Sequence, residues 1–302
     1  MQEVAGRLNE TFSTSSQQDA QEFLEFLLDG LHEDLNPNAS KPKLNPLTEA
    51  EERQRESLPM QVASQSEWQR YTHQNYSVTV NWLQGQLSSR LTCLTCGITS
   101  TTYSPFMYLS LPIPVDQRGT FTLHDCLREF TKAEVLSGDD AWHCPNCKTR
   151  RKATKKLTIM RLPHILIIHL KRFAHQGRWR DKLNTPIGFP LTDLNLTEYV
   201  PPPLTPEETG RTRVRMEPSP ETTPPFHYHL YGIVNHYGTL QGGHYTAVVK
   251  DSYREVWNTF DDSKATPIDE RKVLVSPLRD SSLLLSSNTM AVKECIRPVL
   301  GP

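Results

Sequence analysis

The stretch 242–262, GGHYTAVVKDSYREVWNTFDD, holds a histidine behind two glycines and ends on paired aspartates. Between them lies an apolar run, then a polar turn, then a second apolar run, the pattern of a β-hairpin. Taking Asp251-Ser252-Tyr253-Arg254 as the loop sets Lys250 opposite Glu255, and stepping back along both strands sets His244 opposite Asp261. Opposed residues have Cβ atoms about 4.5–5.5 Å apart, so a carboxylate there fixes one imidazole nitrogen and leaves the other to take a proton. A lone histidine is more often a structural hydrogen-bonding group. The two glycines, which admit close backbone approach, and the Asp261–Asp262 pair favour a general base. Its nucleophile must come from elsewhere in the chain, as a cysteine or a serine.

The six cysteines divide the same way. Cys93 and Cys96 form one C-x2-C pair, Cys144 and Cys147 a second, and 47 residues separate the two. Two residues between thiolates let one tight turn offer both sulfurs to one ion, and two such turns complete a tetrahedral structural zinc site. One zinc ion is therefore expected, closed and non-catalytic. Four unrelated buried cysteines would not fall into matched pairs. Cys126 sits at a core-type position of an amphipathic pattern, where thiols are inert, and Cys295 has no helix start or turn to lower its pKa. Neither is an evident nucleophile.

These groups need elements to hold them. A helix is expected to open at Ser15–Ser16 and run through Phe23, Leu24, Leu27, Leu28, Leu31 and Leu35, with Asp19 and Glu22 at its positive end and Pro37 as its exit. Residues 37–65 are polar and prolyl, then charged, and read as a mobile insertion with a solvated helix, within a polar insertion spanning 37–75. Tyr76, Val78 and Val80 alternate and begin a strand-like region extending to Leu111. Residues 121–137 read as an amphipathic helix with Leu123, Cys126, Leu127, Phe130 and Val135 inward. The unbroken run Ile165-Leu166-Ile167-Ile168-His169-Leu170 suggests a strand buried on both faces. Residues 201–225 carry eight prolines and are expected to be disordered.

Composition excludes other classes. The chain has 302 residues, 33 Lys+Arg against 34 Asp+Glu, and 36% apolar residues. Near-neutrality argues against a nucleic-acid binder; the one basic cluster, Lys148-Thr149-Arg150-Arg151-Lys152 with Lys155-Lys156, is read as a solvated face, and zinc-ribbon nucleic-acid binding stays as a minor alternative. No run is long enough to span a membrane and no leader pattern follows Met1.

The elements QQDAQEF (17–23), QGQLSSRLTCLTCG (84–97), MYLSLPIP (107–114), CPNC (144–147), LPHILIIHLKRF (162–173), GGHYTA (242–247) and FDD (260–262) together resemble the catalytic domain of the ubiquitin-specific proteases, in that family's order and over residues 4 to 268. FMYLSLPIP, HLKRF and VNHYG are similar to its endosome-associated and fungal branch. The resemblance implies an α+β, papain-like cysteine protease fold of palm, thumb and fingers, with a zinc ribbon in the fingers. It divides residues 1–268 into a thumb remnant (1–36), the insertion (37–75), fingers (76–160) and palm (161–268), leaving 269–302 as an atypical tail. It implies thiol-dependent hydrolysis after the C-terminal glycine of ubiquitin, with His244 as base, Asp261 as its orienter and Asp262 as a polar assistant. Asp19, Glu22 and, beside them, His236 would line the ubiquitin tail; the tail carries arginines, and positions i and i+3 put both carboxylates on one helix face. Ubiquitin or ubiquitinated proteins are the implied partners of a monomer located in the cytoplasm, with endosome association by analogy to that branch. In the family the nucleophilic cysteine precedes QQD. No cysteine lies there in this chain, so the N-terminal part of the thumb is expected to be missing and the polypeptide inactive as written; a non-catalytic ubiquitin-binding module is the alternative.

Overall fold

A computed structural model describes residues 2–14, 17–114, 119–176, 179–212, 219–239, 242–275 and 281–288. Two sheets organise it. The larger has the strand order Lys264–Ile268, Val256–Asp261, Gly242–Asp251, His227–Thr239, Ser281–Asn288, Ile165–Leu170, Tyr108–Leu111, with Leu194–Asn195 paired to His227–Thr239. Its pairings are antiparallel except for Tyr108–Leu111 alongside Ile165–Leu170. The smaller orders Thr99–Phe106, Gly85–Cys93, Ala153–Arg161 and Glu134–Leu136.

The apolar run reads through directly. Leu166, Ile167 and Ile168 are consecutive and all buried, so both faces of Ile165–Leu170 are covered. The Leu123–Thr131 helix packs against the neighbouring strand Tyr108–Leu111 and joins the same core. A reciprocal cap between Thr122 and Asp125 starts it, and its face Leu123, Cys126 and Leu127 is buried. The helix is shorter than the expected 121–137: Lys132 leaves it with an extended backbone, and Val135, taken as inward, lies 60% exposed on the edge strand Glu134–Leu136.

Five further expectations change. Residues 76–83 do not begin a strand. Val78–Leu83 is a helix whose N-cap Ser77 accepts from the Val80 amide; alternation would have placed Val78 and Val80 together, yet Val80 is buried and Val78 exposed. The insertion 37–75 contains the helices Glu49–Glu56 and Met60–Thr72. Val62 and Ala63 are buried, and Glu56 accepts from Thr101 N at 2.6 Å and Thr99 Oγ1 at 2.8 Å, tying the segment to the smaller sheet.

Within 201–225, Pro206–Thr212 is helical and Glu221 is docked. Its carboxylate meets Arg161 Nη1 at 3.2 Å and His164 Nε2 at 3.1 Å, and its carbonyl accepts from Leu162 N at 2.9 Å. Proline content lowers the chain entropy lost on docking, and a carboxylate held by the Arg161 guanidinium and the His164 ring supplies the anchor. Within the expected tail 269–302, the described strand Ser281–Asn288 lies between the strands His227–Thr239 and Ile165–Leu170 in the larger sheet, with Leu283 and Leu284 buried. Cys295 falls outside the described residues.

The N-terminal helix, Ala20–Asp34, starts later than Ser15–Ser16, which lie outside the described residues; its cap is Asp19, whose Oδ1 accepts from Gln21 N at 2.7 Å and Glu22 N at 3.4 Å. None of its residues is buried, and Leu27, Leu31 and Leu35 are 40%, 44% and 50% exposed. Among the described residues no helix is long and apolar enough to cross a membrane.

Candidate active site

His244 lies near the start of the strand Gly242–Asp251 and Asp261 at the end of Val256–Asp261. The hairpin register differs from the sequence expectation by two residues: Lys250 faces Trp257 and Asp251 faces Val256, so the loop is 252–255. The ladder ends at Ala247 opposite Phe260, which leaves His244 and Asp261 diagonal. An even shift keeps both side chains on one face, and they still meet, His244 Nε2 to Asp261 Oδ1 at 2.5 Å. An Nε2–H donated to the carboxylate leaves the Nδ1 lone pair to accept a proton. The hydrogen bond to Asp261 raises the His244 pKa above its ordinary value and outweighs desolvation, which opposes it; the charges of Asp261 and Asp262 add to the rise. Asp262 completes a cluster with a ligand atom of each residue within 4.8 Å of the others. Its φ of 48° turns the chain back, so that Asp261 can pair with Lys264.

Beside the histidine is a cleft of about 280 Å³ lined by Gln17, Gln18, Asp19, Glu22, Phe173, His236, Thr239, Gly242 and Tyr245. One wall is aromatic: His236 is buried, with Phe173 edge-on at 5.6 Å and Tyr245 at 4.7 Å. The other is acidic, formed by the cap residue Asp19 and by Glu22. Gly243 must be glycine, since a Cβ there would lie 2.2 Å from the Tyr237 carbonyl and 2.4 Å from His236 Nε2. The structure thus brings Asp19, Glu22 and His236 to one cavity. Sequence reasoning missed three groups there: Gln17, which hydrogen-bonds Gly243, and the aromatic walls Phe173 and Tyr245. Each lies within a motif already singled out, but the side on which it points is a tertiary matter.

The four cysteines meet at the far end of the smaller sheet, with their sulfurs within 4.8 Å of one another. Cys96 and Cys144 Sγ are 3.6 Å apart, close to the ~3.8 Å separation that Zn–S bonds of about 2.3 Å give in a tetrahedron. The two turns match. Gly97 N donates to Cys93 O and Lys148 N to Cys144 O, both at 2.9 Å, and Gly97 and Lys148 have φ of 73° and 55°. The Ile98 amide and the Asn146 side chain hold the Cys96 thiol down to about 6, whereas Cys147, hydrogen-bonded to Cys96 and crowded by the other sulfurs, is pushed up to about 12. Four adjacent thiolates need a cation to coexist, so the donor set fits a divalent metal.

Comparison with known proteins settles the family. Residues 1–286 match the family described as ubiquitin carboxyl-terminal hydrolase. The chain belongs to the ubiquitin carboxyl-terminal hydrolase family. It is 46% identical over 270 residues to ubiquitin carboxyl-terminal hydrolase 4 of Saccharomyces cerevisiae (strain YJM789), covering 88% of this chain and 28% of that one. To ubiquitin carboxyl-terminal hydrolase 2 of Gallus gallus it is 42% identical over 258 residues, covering 85% and 65%. It thus spans under a third of the length of the yeast relative. Its fold resembles that of a SAGA Ubp8/Sgf11/Sus1/Sgf73 DUB module bound to ubiquitin aldehyde, with a TM-score of 0.64 at 29% identity over 95% of this chain and 52% of the other. The family fold is the mixed α+β, papain-like arrangement of the two sheets described above.

Proposed function

We propose that this chain carries the tail-recognition and general-base half of a thiol-dependent deubiquitinase, acting on the bond after the C-terminal glycine of ubiquitin. The observation that carries the reading is the His244–Asp261 pair at the mouth of a cleft with one acidic and one aromatic wall. Asp19 and Glu22 would pair with basic side chains of an extended tail, and His236 would bound its path. His244, oriented through Nε2 by Asp261, would take a thiol proton at Nδ1 and return it to the leaving amine. Asp262 keeps the site negative, favouring the imidazolium formed in that step.

The smaller sheet would form the fingers and the larger the palm. Cys93, Cys96, Cys144 and Cys147 would hold one zinc ion, which supplies a closed structural cross-link. Among the described residues no cysteine belongs to the His244 cluster: four are in the quartet, and Cys126 is buried in the core, where desolvation pushes its thiol up to about 11. The 302-residue polypeptide alone is therefore expected to bind ubiquitin without hydrolysing it. A fluorogenic ubiquitin C-terminal amide tests this. Turnover that His244→Ala abolishes would show that a nucleophile is present after all, and failure of labelled ubiquitin to saturate, with Asp19→Arg as control, would remove the recognition role.

A further inference from the structure

The strand that carries His244 has one edge only partly covered. Along its first edge His227–Thr239 pairs throughout, with Gly238 opposite Gly243 and Tyr237 opposite His244. Along its second edge Val256–Asp261 pairs only with Ala247 to Asp251. Among the described residues, Gly243 therefore has no strand beside it on that second edge. Both of its main-chain groups are nevertheless satisfied there by a single side chain. Gln17 Nε2 donates to the Gly243 carbonyl at 2.6 Å, and Gln17 Oε1 accepts from the Gly243 N–H.

A carboxamide is a peptide group detached from a chain. One donor and one acceptor side by side, matched to the N–H and C=O of one residue, reproduce the hydrogen-bonded pair of an antiparallel ladder. Gln17 is exposed and lines the cleft that holds Asp19, Glu22 and His236, so an entering ligand can reach it. The Gly243 side of the pairing is fixed: the strand lies so close to Tyr237 and His236 that no Cβ fits at that position.

We propose that the Gly243 edge is a main-chain docking position for an extended peptide, and that the Gln17 carboxamide is a resident surrogate that the peptide displaces. This rests on reading the cleft as the ubiquitin-tail channel. An entering backbone makes the same two bonds that Gln17 gives up, so the exchange leaves no main-chain group unpaired. It also sets the peptide residue opposite Gly243 directly beside the His244 imidazole. Gln17 thus competes with the tail, and its removal strengthens binding where removal of a tail contact would weaken it.

The test compares the wild-type chain with Gln17→Ala, Gln17→Asn, whose shorter side chain falls short of Gly243, and Gln17→Glu, which cannot donate to the Gly243 carbonyl. Calorimetric affinity for ubiquitin, and for ubiquitin lacking its last four residues, is read alongside hydrogen exchange of the Gly243 amide. All three variants should bind intact ubiquitin about 3- to 10-fold more tightly. In Gln17→Ala the Gly243 amide should exchange faster in the free protein and regain protection with intact but not shortened ubiquitin. Unchanged or weaker binding in Gln17→Ala, or a Gly243 amide left unprotected in its complex, overturns the proposal while the tail-channel reading stands. If neither wild type nor variant binds ubiquitin, both fall.

Discussion

At the scale of the residue, the geometry of His244 makes a direct prediction. The raised pKa comes from the Asp261 hydrogen bond and then from the charges of Asp261 and Asp262. The protonated ring is therefore favoured in the folded chain, and whatever stability this adds is present at low pH and lost as pH rises through the raised value. An NMR titration of the His244 ring should show it losing its proton above the ordinary histidine range, and Asp261→Asn should move that point down. An identical titration in Asp261→Asn would mean that the pair does not form in solution. Asp19 has two separable duties, because it caps a helix and faces the cleft. Asp19→Asn keeps a capping side chain and should leave thermal stability within a few tenths of a kcal/mol while weakening ubiquitin binding; Asp19→Ala should lose about 1 kcal/mol as well. Equal binding by Asp19→Asn and wild type would leave the carboxylate a cap alone.

At the scale of the element, the two cysteine turns join strands that the chain separates widely. The strand ending at Cys93 pairs with the one beginning at Ala153, and the second turn lies within the hairpin of Trp142–Cys144 and Thr149–Arg151. A metal there links the end of the smaller sheet to that hairpin. The purified chain should contain one zinc per molecule by elemental analysis. Its chelation, or Cys144→Ser, should lower the melting temperature by roughly 6–12 °C, the shift expected for ~3 kcal/mol in a domain of this size. Proteolysis should then begin in the 94–98 and 145–148 turns. A zinc-free chain with unchanged stability would exclude a structural role for the metal. Asp251–Val256 pairing shows another element-scale effect: a hairpin loop one position later shifts the register by two residues, which leaves the face of His244 intact and therefore its partner.

At the scale of the whole molecule, two segments that look peripheral in the sequence turn out to be structural. Glu221 sits with its side chain 20% exposed between Arg161 and His164. Burial pushes its carboxyl up, but hydrogen bonds from His164 and Ser219 and the Arg161 charge outweigh this and hold it down to about 2. Its contribution is thus present above the ordinary carboxyl range and lost as pH falls from there through about 2. Glu221→Gln should cost about 3 kcal/mol in denaturant unfolding at neutral pH, since it leaves Arg161 buried without its counter-charge, and should flatten the acid limb of stability against pH. An unchanged acid limb would mean the segment is not docked in solution. The strand Ser281–Asn288 completes the larger sheet, so Leu284→Ala should cost about 2–5 kcal/mol. Truncation before residue 281 should prevent folding.

The sequence by itself determined the chemistry: a histidine with an aspartate within reach, two cysteine pairs at metal spacing, and a continuous apolar strand. Those features depend on residue type and short-range periodicity, which local sequence carries in full. Only the tertiary structure decided what surrounds them. The Gln17–Gly243 bonds join residues 226 apart. The docking of Glu221 joins residues 60 apart. The seating of Leu283 and Leu284 in the central sheet depends on which strands flank them. A pairing between distant residues is selected by the summed burial and hydrogen bonding of the whole fold, and no local pattern encodes that sum.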